Sequence, residues 1–152
     1  MIKIRCDKTM RDSLTSFIET MEFPAEITND EQSNICVLTE NDVSVIHNIN
    51  SESIIIANGD NHDLVKSLCG CNNTVITCGL SQICTITLSS IEDDGFVVCI
   101  QRNINDINGR QIIPQEIPVK RVGAAEAYHA VLLYATALIG GEKPDKLILE
   151  GR

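Results

Sequence analysis

The feature that most constrains the fold of this 152-residue chain is a short β-branched run that ends in polar residues. The segment "SIIIANGDNHD" (53–63) passes from three consecutive isoleucines into an Asn-Gly-Asp turn sequence. An amphipathic stretch containing Leu64, Val65 and Leu68 follows it. A short apolar run bounded by turn residues is typical of a buried strand, and the spacing after it is typical of a short helix.

The same alternation occupies the first half of the chain. Apolar runs predict further strands at 2–6, 34–39, 43–48 and 74–80. Apolar residues recur with helical spacing from Met10 to Met21, and Asp7 is placed to cap that helix. Residues 25–33 are polar and are predicted to form a loop. Short apolar strands separated by helices indicate a parallel or mixed sheet.

The second half changes to an antiparallel pattern. In "CTITLSSI" (84–91) apolar and polar residues alternate, which predicts a strand with one buried and one solvated face. Turns at "EDDG" (92–95) and "NDING" (105–109) separate it from a returning strand and from "RQIIPQEIPV" (110–119). Two prolines in that last segment predict a sheet edge or an irregular strand. The final segment, "GAAEAYHAVLLYATALIGG" (123–141), predicts a strong helix that ends at its glycines.

The predicted fold class is therefore α/β, with a mixed, mainly parallel sheet, flanking helices and a small antiparallel meander. No repeat, low-complexity segment or linker divides the chain. We expect one domain over residues 1–152, in which residues 1–33 form an N-terminal strand–helix segment.

The composition argues against several classes of function. The net charge is −9, with 12 basic and 21 acidic residues, and no basic run is present, so nucleic-acid binding is not expected. The first ten residues contain no apolar segment of a secretory signal, and no apolar run reaches membrane-spanning length. Seven scattered cysteines, an odd number, are typical of a reduced protein in the cytoplasm.

One cysteine motif raises an alternative. Cys69 and Cys71 flank Gly70, and with Cys78 and His62 they are conceivable zinc ligands. Their spacing matches no common paired zinc motif, and the simpler interpretation is a helix end followed by a turn.

The order of segments also carries a resemblance. "ANGDN" (57–61), "ITCGLS" (76–81), the meander at 84–119 and "VGAAEAYHAVLLYATALIGG" (122–141) occur in that sequence. This order resembles the latter part of the central, ATP-binding domain of the Mur ligases and their relatives. "ICVLTEND" (35–42) corresponds to a family strand that ends in Thr-Asn. The resemblance covers residues 34–141.

The resemblance also shows what this sequence lacks. Mur ligases activate a carboxylate with ATP, and that chemistry uses a glycine-rich loop with a lysine to hold the phosphates. This sequence contains no G-x-x-G-K-S/T motif. The Glu and His that bind Mg²⁺ in the family have no clear counterpart. Ala125-Glu126 stands at the family's His-Asn pair, and His129 stands at its later adenine-binding Asn.

Three residues remain as nucleotide-site candidates under the resemblance: Asn58, Asp60 and His129. Asn58 and Asp60 fall on the turn that lies near the ribose in the family, and an aspartate at the end of a strand can accept hydrogen bonds from a ribose hydroxyl. The alternative is purely structural. Asn-Gly-Asp is a favoured turn sequence, and Asp60 or Asn61 would cap the next helix whatever the function.

The sequence thus predicts a Mur-ligase-like domain without a catalytic phosphate loop. We expect a non-catalytic binding or accessory module that needs no cofactor and forms a homo-oligomer or binds a protein partner. The alternative is one part of a split ATP-dependent ligase, whose other polypeptide brings the phosphate loop. ATP and Mg²⁺ are expected only in that second case.

Overall fold

The structure, a computed structural model, describes residues 1–121 and 126–147. The chain is built around an eight-stranded sheet. Its strands are β1 (Ile2–Cys6), β2 (Ala25–Ile27), β3 (Ile35–Leu38), β4 (Ile54–Asn58), β5 (Val75–Cys78), β6 (Ile86–Ile91), β7 (Gly95–Ile100) and β10 (Gln115–Lys120). Their order across the sheet is β10-β7-β6-β5-β4-β3-β1-β2. A separate hairpin pairs β8 (Ile104–Asn105) with β9 (Gln111–Ile112).

The sheet is mainly parallel, as predicted. The strands from β2 to β6 pair in parallel, whereas β7 pairs antiparallel with both β6 and β10. β10 lies at an edge, in agreement with the prediction from its prolines. The predicted α/β class is therefore confirmed, including its antiparallel section.

Helices cover both faces of the sheet. These are α1 (Lys8–Met21), α2 (Val43–Ile46), α3 (His62–Leu68), α4 (Ala127–Ile139) and α5 (Pro144–Leu147). On one face α1 and α4 pack together, and the rings of Phe17 and Tyr134 meet edge to face at 5.3 Å between centroids. On the other face α2 and α3 cover a smaller cluster that includes Leu38, Ile55 and Leu64. The core is aliphatic because the sequence offers few aromatic residues.

Three predictions of local structure were wrong. Residues 43–46 form helix α2 instead of a strand, because Asp42 accepts backbone hydrogen bonds from Ser44, Val45 and Ile46 and so starts a helical turn. Residues 25–27 form the edge strand β2, although the whole of 25–33 was predicted as loop. The single strand predicted at 110–119 is divided between β9 and β10.

The final helix is buried more completely than an amphipathic pattern requires. Every residue from Ala130 to Ile139 is buried, since α4 packs on the central strands of the sheet and also against α1. Its predicted end is confirmed: Gly140 is the C-cap, and Gly141 adopts φ +101°. Ala124 and Ala125, which the sequence placed in this helix, lie outside the described residues. The predicted solvated face of β6 is also interrupted, because Thr87 is buried there.

Candidate functional site

The carboxyl ends of four neighbouring parallel strands, β1, β3, β4 and β5, lie along one edge of the sheet. The chain order reverses at β1, because β2 pairs on one side of it and β3 on the other. In open α/β sheets, ligands bind in the crevice beyond the strand ends at such a switch point. The residues that follow these four strands therefore form the candidate site.

Asp7 occupies the switch point itself. It follows β1, its side chain is only 1% exposed, and one of its oxygens (Oδ1) accepts a hydrogen bond at 3.3 Å from the backbone N–H of Met10, which caps α1. The other oxygen (Oδ2) accepts from the Thr39 N–H at 2.6 Å, the Thr39 hydroxyl at 2.8 Å and the Glu40 N–H at 3.2 Å. A carboxylate of the chain itself therefore fills the anion position between β1 and β3.

The next link in this edge is the backbone carbonyl of Thr39. It accepts from the side-chain amides of Asn58, at 3.3 Å, and Asn61, at 3.4 Å. The Asn61 oxygen accepts from the Leu64 N–H and caps α3, while the Asn58 oxygen accepts from the Asp60 N–H. The helix-capping role predicted for Asp60 or Asn61 thus belongs to Asn61.

Asp60 ties β4 to the loop that follows β5. Its Oδ2 accepts from the Leu80 N–H at 2.7 Å, and its Oδ1 accepts from the Ser81 N–H at 2.9 Å. Gly79 makes this contact possible, because a Cβ there would lie 2.6 Å from the Asp60 carboxylate. The Cys84 thiol also lies 3.9 Å from Oδ1, and burial together with the Asp60 charge raises the pKa of that thiol to about 11.

We call Asp7, Thr39, Asn58, Asp60 and Asn61 the carboxyl-edge network. Its hydrogen bonds run without a break from β1 to the loop after β5. The network contains two carboxylates and no cationic side chain, so it offers little to a phosphate group. Asp60 is exposed, however, and its oxygens keep the capacity to accept further hydrogen bonds.

Two solved structures of ligases are similar in fold to nearly the whole of this chain. A UDP-N-acetylmuramate:L-alanyl-gamma-D-glutamyl-meso-diaminopimelate ligase from Neisseria meningitides matches with a TM-score of 0.60 and 12% identity, over 99% of this chain and 66% of that one. MurF from Acinetobacter baumannii matches with a TM-score of 0.59 and 8% identity, over 97% of this chain and 44% of that one. The fold of this chain resembles that of Mur ligases.

The structural match extends beyond the region in which the sequence carries the resemblance. Its coverage of 99% includes nearly all of residues 1–33 as well as 34–141. The chain spans less than two thirds of the length of either solved chain, and at such low identity the match concerns the fold alone. No protein-family model matches the sequence, and no curated protein matches it significantly.

His129, the third candidate of the Mur-like site, lies in the first turn of α4. Its ring lies against Tyr128, with 4.2 Å between ring centroids. Its Nε2 atom is buried and has no hydrogen-bond partner within residues 1–121 and 126–147. The hydrogen bonds of this described part join Asn58 to Asp60, but they do not join either residue to His129.

The described residues do not support the zinc alternative. Within them, no group of three or more His, Cys, Asp or Glu side chains could hold a metal ion. Cys78 is fully buried in β5, whereas Cys69 and Cys71 are exposed before that strand begins.

The described part of the chain contains no helix with the length and apolar character needed to cross a membrane.

A cavity of about 520 Å³ lies away from the candidate residues. Its lining includes Phe23 just after α1, Lys120 at the end of β10 and Tyr134 of α4. The Tyr134 hydroxyl donates a hydrogen bond to the Lys120 carbonyl, and burial raises the pKa of Tyr134 to about 12. Neither Asn58, Asp60 nor His129 lines this cavity.

Sequence reasoning missed the centre of the network. It identified Asp7 only as a helix cap, although Asp7 also binds Thr39, 32 residues further along the chain. The available signal was the position of both residues directly after apolar strands, since parallel strands bring such residues to the same edge. The spacing of residues along the chain, however, does not show which strands become neighbours in the sheet.

Proposed function

We propose that this chain is a Mur-ligase-like domain that acts as a non-catalytic accessory module, binding a protein partner or a second copy of itself. The observation that carries the proposal is the Asp7 carboxylate at the switch point, which is buried and accepts hydrogen bonds from α1 and from the residues directly after β3. The fold is that of a ligase domain, but this position in it is already filled by a negative charge.

Phosphate binding at such a position depends on backbone N–H groups and a cation that offset the phosphate charge. Here the N–H groups of Met10, Thr39 and Glu40 already donate to Asp7. A triphosphate at this crevice would have to displace or approach a buried anion, and the sequence supplies no G-x-x-G-K-S/T loop to compensate. Both facts favour a domain without ATP-dependent activity.

A second surface supports binding of a partner. The loop after β5 exposes Leu80 by 43% and Ile83 by 68%, large fractions for apolar side chains. The loop is nevertheless held firmly, because Asp60 accepts from its backbone N–H groups and Gln101 and Arg102 donate to its carbonyls. Apolar side chains presented on an ordered loop favour association with another protein surface. We expect this association to occur in the cytoplasm.

One observation favours the alternative, in which this chain completes a split ATP-dependent ligase. Asp60 is exposed at the carboxyl end of β4, where a ribose hydroxyl could donate to it, with Asn58 beside it and His129 as a further candidate. The chain alone would then bind ATP and Mg²⁺ weakly, and tight binding would require a second polypeptide that carries the phosphate loop.

Calorimetric titration of the purified chain with ATP and Mg²⁺ separates the two functions. Under the accessory-module proposal, the wild type shows no binding at millimolar ATP. Under the split-ligase alternative, it binds weakly and Asp60→Ala abolishes the heat. Asp63→Ala is the matched control, since Asp63 is an exposed carboxylate three residues further along the same segment.

Circular dichroism of Asp60→Ala confirms that the variant folds before its titration is interpreted. Binding by the wild type that Asp60→Ala removes and Asp63→Ala retains would overturn the accessory-module proposal. Recovery of the native protein as a monomer without a partner would count equally against it.

A further inference from the structure

The cysteines of the chain fall into two groups. Seven free cysteines are present, and Cys69 and Cys71 are the exposed pair. The other five lie in or beside strands of the sheet, where they are buried or half-buried: Cys6, Cys36, Cys78, Cys84 and Cys99. Five cysteines therefore serve as small core or sheet residues, and two are accessible to reagents in solution.

The exposed pair lies on a tight reversal at the end of α3. Cys69 is the C-cap, and its N–H donates to the Lys66 carbonyl at 3.2 Å. Gly70 adopts φ +92°, which is the left-handed region, and the Cys71 N–H then donates back to the Leu68 carbonyl at 3.3 Å. Residues two apart are at most about 7 Å apart between Cα atoms, and a reversal shortens this to the range that a disulfide spans.

The reversal at residues 69–71 is also free of close packing contacts around Gly70. A Cβ built on Gly70 would meet no atom within 4 Å, so the turn projects from the packed structure. The Cys69 thiol donates to the Val65 carbonyl at 3.5 Å, a weak contact on the surface of α3. The buried side of the same helix is provided by Leu64 and Leu68. A bond between the two sulfur atoms can therefore form and break without disturbing the core.

We propose that Cys69 and Cys71 form a reactive dithiol that reduces low-molecular-weight disulfides and is itself converted to an intramolecular Cys69–Cys71 disulfide. This proposal does not depend on the accessory-module function, because the dithiol lies at the amino side of β5 and the carboxyl-edge network at the opposite end.

The exchange balances as two thiolate displacements. The thiolate of one cysteine attacks a sulfur of the disulfide R–S–S–R, forms a mixed disulfide and releases one R–S⁻. The second cysteine, as its thiolate, attacks the cysteine sulfur of that mixed disulfide and releases the other R–S⁻. The protein dithiol loses two electrons and two protons, and the external disulfide is reduced to two R–SH.

The remaining five cysteines are poorly suited to compete, and burial raises the pKa even of the half-buried Cys99. Burial raises the pKa of Cys6 to about 11, that of Cys36 to about 12 and that of Cys84 to about 11, and it raises the pKa of Cys78 as well. These groups remain thiols near neutral pH and are shielded from the reagent. Exchange is therefore directed to the exposed pair.

Oxidised glutathione tests the proposal on the full-length, pre-reduced chain. Intact mass spectrometry is expected to show a loss equal to two hydrogen atoms, and peptide mapping is expected to place the bond between Cys69 and Cys71. Maleimide labelling under native conditions should then count two fewer reactive thiols. Cys69→Ser and Cys71→Ser should instead each retain one glutathione on the remaining partner.

Cys99→Ser is the control, because Cys99 is half-buried in β7 and should leave the outcome unchanged. Stable glutathione adducts on both Cys69 and Cys71 of the wild type would overturn the proposal, since the second displacement would not occur. Absence of any reaction, or closure that persists in both single variants, would overturn it as well. Both substituted positions are exposed, so the fold is retained in the variants.

Discussion

At the scale of single residues, the buried carboxylate of Asp7 has the largest consequences. Burying an ionised group is costly unless hydrogen bonds replace its water. Asp7 receives four such bonds, from Met10, Thr39 and Glu40, and they join the beginning of α1 to the end of β3. The same carboxylate therefore stabilises the fold and closes the switch-point crevice to other anions.

Replacing Asp7 should therefore lower the stability of the fold markedly. Asp7→Ala leaves buried N–H donors unpaired and removes the cap of α1, so we expect the free energy of unfolding to fall by about 2–4 kcal/mol. Urea denaturation measures the difference. Asp12→Ala, at an exposed position of the same helix, should change it by less than about 0.5 kcal/mol. Equal losses in the two variants would show that the Asp7 hydrogen bonds contribute little.

At the scale of elements, the sequence predicts the strands more accurately than the segments that connect them. The isoleucine run became β4 and the proline-containing segment became the edge strand β10, because both signals are local. The segment at 43–46 has strand-forming residues but became α2. Its conformation follows from the Asp42 cap and from its place on the sheet face between β3 and β4, which residue preference does not report.

The pairing of β7 with β10 depends on Gly95. A Cβ at this position would overlap the backbone carbonyl of Val119, and a backbone group cannot rotate away as a side chain can. We expect Gly95→Ala to lower the free energy of unfolding by about 1–3 kcal/mol and to increase amide hydrogen exchange in β10. Ser89→Ala, exposed on the adjacent strand β6, is the control. Unchanged exchange in β10 would contradict the predicted clash.

At the scale of the whole molecule, two layers of helices around the sheet create a core that contains several thiols. Cys6 and Cys78 lie in the larger cluster under α1 and α4, and Cys36 lies in the smaller one under α2 and α3. Burial raises the pKa of Cys36 from 9.0 to about 12 and that of Cys6 to about 11. The core therefore favours the protonated thiols, and the free energy of unfolding depends on pH in the alkaline range.

This linkage predicts alkaline destabilisation. Between pH 9 and 12 the unfolded chain loses thiol protons that the folded chain keeps, so the free energy of unfolding falls as pH rises. A thiol such as Cys36 accounts for on the order of 3 kcal/mol of that loss. Thermal unfolding across this range should show a shallower decline for Cys36→Ala than for the wild type. The exposed-site variant Cys69→Ser should decline like the wild type, and a Cys36→Ala curve parallel to the wild type would refute the linkage.

The sequence by itself determined the α/β class, most of the strands and the helix cap at Asp7, because these depend on hydrophobic period and local capping chemistry. It left both Asp60 and Asn61 open as the cap of α3, and both an edge position and an irregular strand open for β10. Only the tertiary structure decided that Asp7 meets Thr39 and that Asp60 meets the loop after β5. Those contacts join residues about 20 to 30 positions apart, and they follow from which strands become neighbours in the sheet. Strand order is set by the packing of both sheet faces together, and no local pattern encodes it.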